Sequence, residues 1–408
     1  MSKKQDNNEQ INNFTIEKAI DNIDDKDNKK VIYKALWENN DFFKNKNIKV
    51  QKVFYPRYSV YSKNSYAFQI EDGKGNIIEN KNISKNDIFK YICEKLIKLF
   101  GITNKKRFEE KLSEVCGGSG SEQRNITKLH SSSLCALLFF YNVSDKNTLT
   151  LKIDSKEIIF KDALFEFQNI VIEGRKPSNV DVVLFGKDND GKKVILFLES
   201  KFSEYLDVSK QFDLGLDYLE KYSNIYNDDN LKNINLCIYR ENGIPKIVLK
   251  NKKGKIEKYN RIRVIKDADA MYIEGIKQII SHYIGINNLL SGNLCKNNTE
   301  KLKELYDFLS DDKKENYTKE KLKKILNDDN TKIYLGEILF DFYNMNINDK
   351  EDFEEDFNNY CEKYKSLSEI LNPLNNKIKV LAKPFKYSLF KDNERKIEKK
   401  IKEYYRLK

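Results

Sequence analysis

Two stretches of this chain are apolar at almost every position and are interrupted or ended by charge. Val180, Val182, Val183, Leu184 and Phe185 surround Asp181, and Val194-Ile195-Leu196-Phe197-Leu198 runs straight into Glu199-Ser200-Lys201. Continuous apolar runs of this length are the pattern of strands buried on both faces at the centre of a sheet. The polar turn Asp188-Asn189-Asp190-Gly191 between them predicts a hairpin. Further strand-like stretches precede the pair at residues 149–153, 157–160 and 164–172. A helix is predicted over 208–222 and another strand over 234–239.

Towards the N-terminus, aromatic and β-branched residues over 53–70 have strand-like spacing, followed by a hairpin turn at Asp72-Gly73-Lys74-Gly75-Asn76. Ile88, Ile92, Leu96 and Leu99 fall on one face of an amphipathic helix over 88–100. A glycine-rich break at Gly117-Gly118-Ser119-Gly120-Ser121 leads into a predicted helix over 122–141. Its second half is apolar nearly all round, so it is expected to be buried. Beyond Ala268 the pattern reads mainly helical, at 271–284, 299–309, 319–326, 333–343 and 353–371. Pro373 breaks it, and 392–405 reads as a last charged helix.

Together these elements predict an α/β or α+β protein with a mixed central sheet flanked by helices. Four divisions follow: a polar tail over 1–30, an accessory α+β segment over 31–116, the sheet-containing core over 117–267, and a helical region over 268–408.

Composition narrows the chemistry. Only 39% of the 408 residues are hydrophobic, but the 24 Phe and 24 Tyr supply large side chains from which a core can be built. The net charge of +11 is compatible with a nucleic-acid partner and equally with a basic, solvated surface. The six cysteines contain no C-x-x-C pair, which argues against a zinc ribbon and a disulfide framework and for reduced core thiols. With only His130 and His282 available, His-rich metal sites are hard to assemble, so any metal must be held by oxygen. The start of the chain lacks a signal-peptide pattern. The longest apolar run, 134–141, is far short of the roughly 20 residues that span a bilayer, so a cytoplasmic protein with no membrane partner is expected.

Asp181 and Glu199, on adjacent strands, form a hard oxygen site suited to Mg²⁺, with Mn²⁺ as a substitute. Alternation along the strand puts Glu199 and Lys201 on one face, where the lysine can orient or deprotonate a water and stabilise charge on a phosphorane. The Glu-x-Lys pattern also occurs at Glu109/Lys111, Glu394/Lys396 and Glu398/Lys400, within charged helices. Buried strands distinguish the Asp181 set, because charge there must be compensated. The competing assignment is a strand end whose charges pair at the surface.

The string Asp181 … Leu198-Glu199-Ser200-Lys201-Phe202-Ser203-Glu204 resembles the PD-(D/E)XK nuclease superfamily, in particular a bacterial branch related to restriction endonucleases. Gly118-Ser119-Gly120-Ser121-Glu122 and Ser131-Ser132-Ser133-Leu134 extend the resemblance, which covers about residues 117–240. It implies a restriction-endonuclease-like core and catalytic roles for Asp181, Glu199 and Lys201. Glu122 is implied as a fourth catalytic and metal-binding residue, or else as an ordinary acid in the first turn of a helix. Pro177 stands four residues before Asp181 rather than beside it, a departure common in the superfamily.

Glu166 and Glu173 are spare carboxylates, and Glu204 either orients Lys201 or faces solvent. Arg124, Arg175, Lys176 and Gln211 are candidate nucleic-acid contacts, with Gln211 and Tyr218 seven residues apart where some relatives have a Gln-x-x-x-Tyr spacing. The expected function is therefore Mg²⁺-dependent endonuclease action, on double-stranded DNA in restriction or anti-phage defence, by a possible homodimer. The alternatives are a ligand-regulated or single-strand- or RNA-cutting nuclease of the same fold, or a non-catalytic nucleic-acid-binding protein. The absence of a G-x-x-x-x-G-K-[ST] loop argues against a P-loop ATPase.

Overall fold

A computed structural model of the chain describes residues 14–24, 28–44, 48–55, 60–71, 84–117, 125–204, 211–234, 236–242, 244–245, 247–248, 251–252, 255–256, 261–266, 276–310, 316–342, 350–391 and 396–407. It divides into two compact units. One takes in Met1–Leu149, Phe340–Glu351 and Tyr387–Lys408, the other Thr150–Leu339 and Asp352–Lys386. No helix among the described residues is long and apolar enough to cross a membrane.

The first unit is built on aromatic rings. Its antiparallel hairpin pairs β1 (Val50–Tyr55) with β2 (Val60–Phe68), as the spacing over 53–70 predicts. The expected turn at 72–76 lies outside the described residues. The helix Lys85–Phe100 starts where the Ser84 hydroxyl accepts from the Asp87 N–H and ends where Gly101 adopts φ 64°, both favoured helix boundaries. Trp37, Phe42, Phe43, Phe68 and Phe100 surround Tyr404, whose ring lies 5.0 Å from that of Phe42. Tyr404 comes from the helix Lys399–Tyr404, shorter than the charged terminal helix expected over 392–405, since the described residues 396–398 are not helical; one face of it is core. The predicted helix over 122–141 is not continuous: among the described residues Asn125 is helical, 126–130 form turns with a bridge at Lys128, and helix resumes at Ser132. There the Ser131 hydroxyl caps the Leu134 N–H, and Ser132–Phe140 is buried almost throughout, as expected.

The second unit is organised by a seven-stranded mixed sheet. Its path runs β16 (Ile378–Val380), β15 (Thr331–Leu339), β6 (Lys193–Lys201), β5 (Ser178–Asp188), β4 (Lys156–Asn169) and β3 (Leu149–Ile153), with β17 (Phe385–Lys386) also paired to β15. Strands β4, β5 and β6 form an antiparallel meander, and β15 returns parallel to β6. Asp154 and Ser155, at φ 50° and 66°, make the tight turn between β3 and β4. Every residue from Val194 to Lys201 is buried, as the apolar run demands of a central strand.

Two elements differ from the pattern. Residues 333–343, expected as helix, are mostly strand β15. An eight-residue apolar run carries no periodicity that separates a buried helix from a buried strand, and here the vacant edge of β6 takes it. The region beyond Ala268 is thus not a separate helical domain, since β15 to β17 complete the central sheet. The predicted helix over 208–222 is β7 (Gln211–Gly215) followed by the short helix Leu216–Lys221. Strand β7 belongs to a smaller four-stranded sheet with β8 (Leu236–Ile238), β11 (Ile247–Val248) and β14 (Arg261–Lys266). The two-residue strands β9 (Arg240–Glu241) with β10 (Ile244–Pro245), and β12 (Asn251–Lys252) with β13 (Lys255–Ile256), form hairpins nearby in sequence.

Candidate active site

Register brings acids from four adjacent strands into one row. Phe165 pairs with Val182 and Phe167 with Val180, which sets Glu166 opposite Asp181. Val182 pairs with Leu198, so the next positions outward are Asp181 and Glu199, and Glu199 in turn pairs with Glu337 on β15. Residues opposite one another in a sheet share a face, so the four carboxylates lie on one side.

At Asp181 the β5–β6 ladder gives way to a side-chain bond, the backbone N–H of Ser200 donating to its Oδ2 at 2.8 Å. Burial, followed by the negative charges of Glu199 and Glu166, holds the Asp181 carboxyl well above the usual carboxylate range. Glu166 has a left-handed backbone, φ 48°, in the middle of β4. A non-glycine residue in that region is strained by about 1–3 kcal/mol. The conformation is held from both sides: Lys301 Nζ donates to the Phe165 and Glu166 carbonyls, and Asn179 Nδ2 donates to Glu166 Oε2 at 3.0 Å.

Both oxygens of buried Glu199 are engaged. Lys201 Nζ donates to Oε1 at 2.7 Å, and His282 Nε2 lies 2.8 Å from Oε2. Burial alone would raise this carboxyl, but the Lys201 ammonium and His282 outweigh it and bring it down to about 2. Lys201 is 5% exposed. Burial opposes its charge, but Glu199, Glu204 and Asp181 together push its ammonium above the ordinary lysine value.

The helix Ile276–Leu290 fits over this face by simple spacing. Gln278 and His282, four residues apart, are about 6 Å apart along a helix axis, and Glu199 and Lys201, two apart, are separated by nearly the same distance along a strand. Gln278 Oε1 accepts from Lys201 Nζ at 2.6 Å while His282 reaches Glu199. The other ring nitrogen of His282, Nδ1, lies 2.6 Å from Ser178 Oγ. Because an ionised Glu199 only accepts, the Nε2 proton is assigned to that bond, and Nδ1 shares the remaining hydrogen bond with the Ser178 hydroxyl.

His282 and Ser178 were not singled out by the sequence, and neither was Glu337. His282 sits on a correctly predicted helix, but nothing in a single sequence says which strand that helix covers. Replacing His282 with Ala leaves Glu199 Oε2 buried without its donor. The expected loss is about 2–3 kcal/mol of unfolding free energy, read from urea denaturation at neutral pH. A loss below about 0.5 kcal/mol would show that water or a neighbouring side chain takes over the bond.

The remaining candidates are dispersed. Glu204 lies at the turn after β6, its Oε2 accepting from the Phe202 and Ser203 backbone N–H groups at 2.7 and 3.0 Å, while its charge supports Lys201. Arg175 pairs its Nε with Asp217 Oδ2 at 2.6 Å and lies over the Tyr218 ring. Lys176 and Glu173 are exposed in the connection between β4 and β5. Gln211 is on β7, opposite Ile265. Glu122 and Arg124 lie outside the described residues.

Among the described residues, no group of three His, Cys, Asp or Glu side chains is placed so that it could hold a metal ion as it stands. Both oxygens of Glu199 are taken by Lys201 and His282. The chain matches no protein-family model, no curated protein and no solved structure.

Proposed function

We propose that this chain is a divalent-metal-dependent nuclease of the PD-(D/E)XK kind, with a restriction-endonuclease-like core and with Asp181, Glu199 and Lys201 as its catalytic centre. The observation that carries the proposal is the register of β5, β6 and β15, with Asp181 and Glu199 side by side and Lys201 one step along the same face. The Ser178–His282–Glu199 chain contains the residue types of a hydrolase triad. However, Glu199 also binds Lys201 and lies in a row of acids, so His282 is assigned to orienting the carboxylate.

The donor set is all oxygen on the sheet face, which fits a hard cation such as Mg²⁺ or Mn²⁺. When bound by Asp181 and Glu199, the cation supplies polarisation of the phosphate and a more acidic water. Lys201 carries a proton at Nζ, held there by three carboxylates, so its part is to stabilise negative charge on the phosphate oxygens and not to act as the base. The His282 imidazole and Gln278 amide fix Glu199 and Lys201 in place. Double-stranded DNA is the proposed substrate, with single-stranded DNA and RNA as the substrates to compare.

The test is incubation of the purified chain with plasmid, linear and single-stranded DNA and with RNA, in Mg²⁺, Mn²⁺ or EDTA. Metal-dependent cutting that Asp181→Asn abolishes is the expected result. Cutting that persists in EDTA or in Asp181→Asn, or no Mn²⁺ binding by the chain, would overturn the proposal.

A further inference from the structure

Glu337 is the most deeply buried acid among the described residues. It is fully buried, at 0% exposure, in the middle of β15. One carboxylate oxygen, Oε2, accepts from the Tyr360 hydroxyl at 2.6 Å, and the other, Oε1, has no hydrogen-bond partner. Tyr360 comes from the helix Lys350–Leu371 and is itself 2% exposed, so the bond is sealed from solvent.

A buried carboxylate oxygen left without a partner is costly, and native structures seldom retain one without a use. Leu, Ile or Val at this position would extend the apolar run Ile333 to Phe340 without burying a carboxyl group. The acid is instead opposite Glu199 in the parallel register, on the face that carries Asp181 and Lys201. Lys201 and Glu199 both act on its charge.

Resting on the nuclease reading above, we propose that Glu337 is a further oxygen ligand of the same divalent-cation site, contributed by β15, with Tyr360 as the residue that positions it. Tyr360 fixes one oxygen and leaves the other directed to a cation. Glu199 would join them by exchanging the Lys201 ammonium at its Oε1 for the cation. The site then draws on acids from three neighbouring strands, Asp181 on β5, Glu199 on β6 and Glu337 on β15.

The experiment is a Mn²⁺ titration of the full chain without nucleic acid, followed by electron paramagnetic resonance of free Mn²⁺ and by calorimetry. Wild type is compared with Glu337→Gln, Tyr360→Phe and Asp181→Asn. Glu337→Gln is expected to weaken Mn²⁺ binding by at least about tenfold, and Tyr360→Phe by less, since it only releases the carboxylate from its fixed orientation. Circular dichroism and urea midpoints confirm that each variant is folded. If Glu337→Gln binds Mn²⁺ as wild type does while Asp181→Asn does not, the inference is wrong and the nuclease reading stands. If wild type itself fails to bind Mn²⁺, the nuclease reading falls and this inference with it.

Discussion

Replacing Lys201 with Ala is expected to lower the rate of nucleic-acid cleavage by about 10²- to 10³-fold while leaving Mn²⁺ binding unchanged or stronger. The two parts of this result come from one bond. Lys201 Nζ sits 2.7 Å from Glu199 Oε1, so in the resting site the ammonium occupies an oxygen that a cation would use. Removing it frees that oxygen for metal and at the same time deletes the positive charge that the developing phosphorane needs. Single-turnover cleavage at saturating Mn²⁺, set beside the binding isotherm, separates the two effects. Equal cleavage by wild type and Lys201→Ala would remove Lys201 from the mechanism. Because truncation also leaves Glu199 buried with only His282, a destabilisation of about 3–5 kcal/mol accompanies the change. Lys201→Gln retains a donor without the charge, so a rate loss there at wild-type stability isolates the electrostatic part.

The centre of the site was legible because two central strands are apolar without interruption except at Asp181, Glu199 and Lys201. Burial makes such charges conspicuous, and their fixed alternation along β6 tells which share a face. The same signal was present at Ile333-Tyr334-Leu335-Gly336-Glu337-Ile338-Leu339-Phe340, an apolar run with one acid inside it. It was not used because the run was assigned to a helix, where no neighbouring strand would have set the acid beside Glu199. Once the segment is a strand, its acid falls into line with Glu199. Of the surrounding layer, Gln278 and His282 depend on where one helix crosses the sheet, 77 and 83 residues from the strand residues they meet, and Tyr360 on another helix, 23 residues from Glu337. Hydrophobic periodicity predicts both helices, over 271–284 and 353–371, but not what either packs against. Similarly, Glu166 was noticed only as a spare acid on a strand, and its left-handed backbone is a consequence of the Lys301 and Asn179 contacts that no local pattern encodes.

Glu337→Gln is expected to make the metal-free protein more stable at pH 8, by on the order of 3 kcal/mol. Burial, with Glu199 adding to it, raises the Glu337 carboxyl to about 7 from the ordinary 4.5, against the opposing pull of Lys201 and the Tyr360 hydrogen bond. The folded state therefore binds this proton more tightly than the unfolded chain does. The contribution of Glu337 to stability is greatest below pH 4.5 and is lost as pH rises towards about 7, beyond which it stays constant. Converting that interval at about 1.4 kcal/mol per pH unit gives the stated magnitude. Asp181, also raised by burial, acts in the same direction. Glu199 acts in the opposite one: held at about 2, it adds stability above pH 4.5 that disappears only as pH falls towards 2. Neutral glutamine cannot ionise, so the variant removes the Glu337 share of the slope between pH 4.5 and 7 and leaves the acid limb unchanged. Urea denaturation in EDTA across pH 4 to 8 measures this. Parallel wild-type and variant profiles would mean that Glu337 does not titrate in the folded protein. The expected stabilisation gives the metal titration its force, since a variant more stable than wild type that binds Mn²⁺ more weakly has lost a ligand and not its fold. An acid kept at a position where a neutral isostere folds better is the stability cost usually found at functional sites.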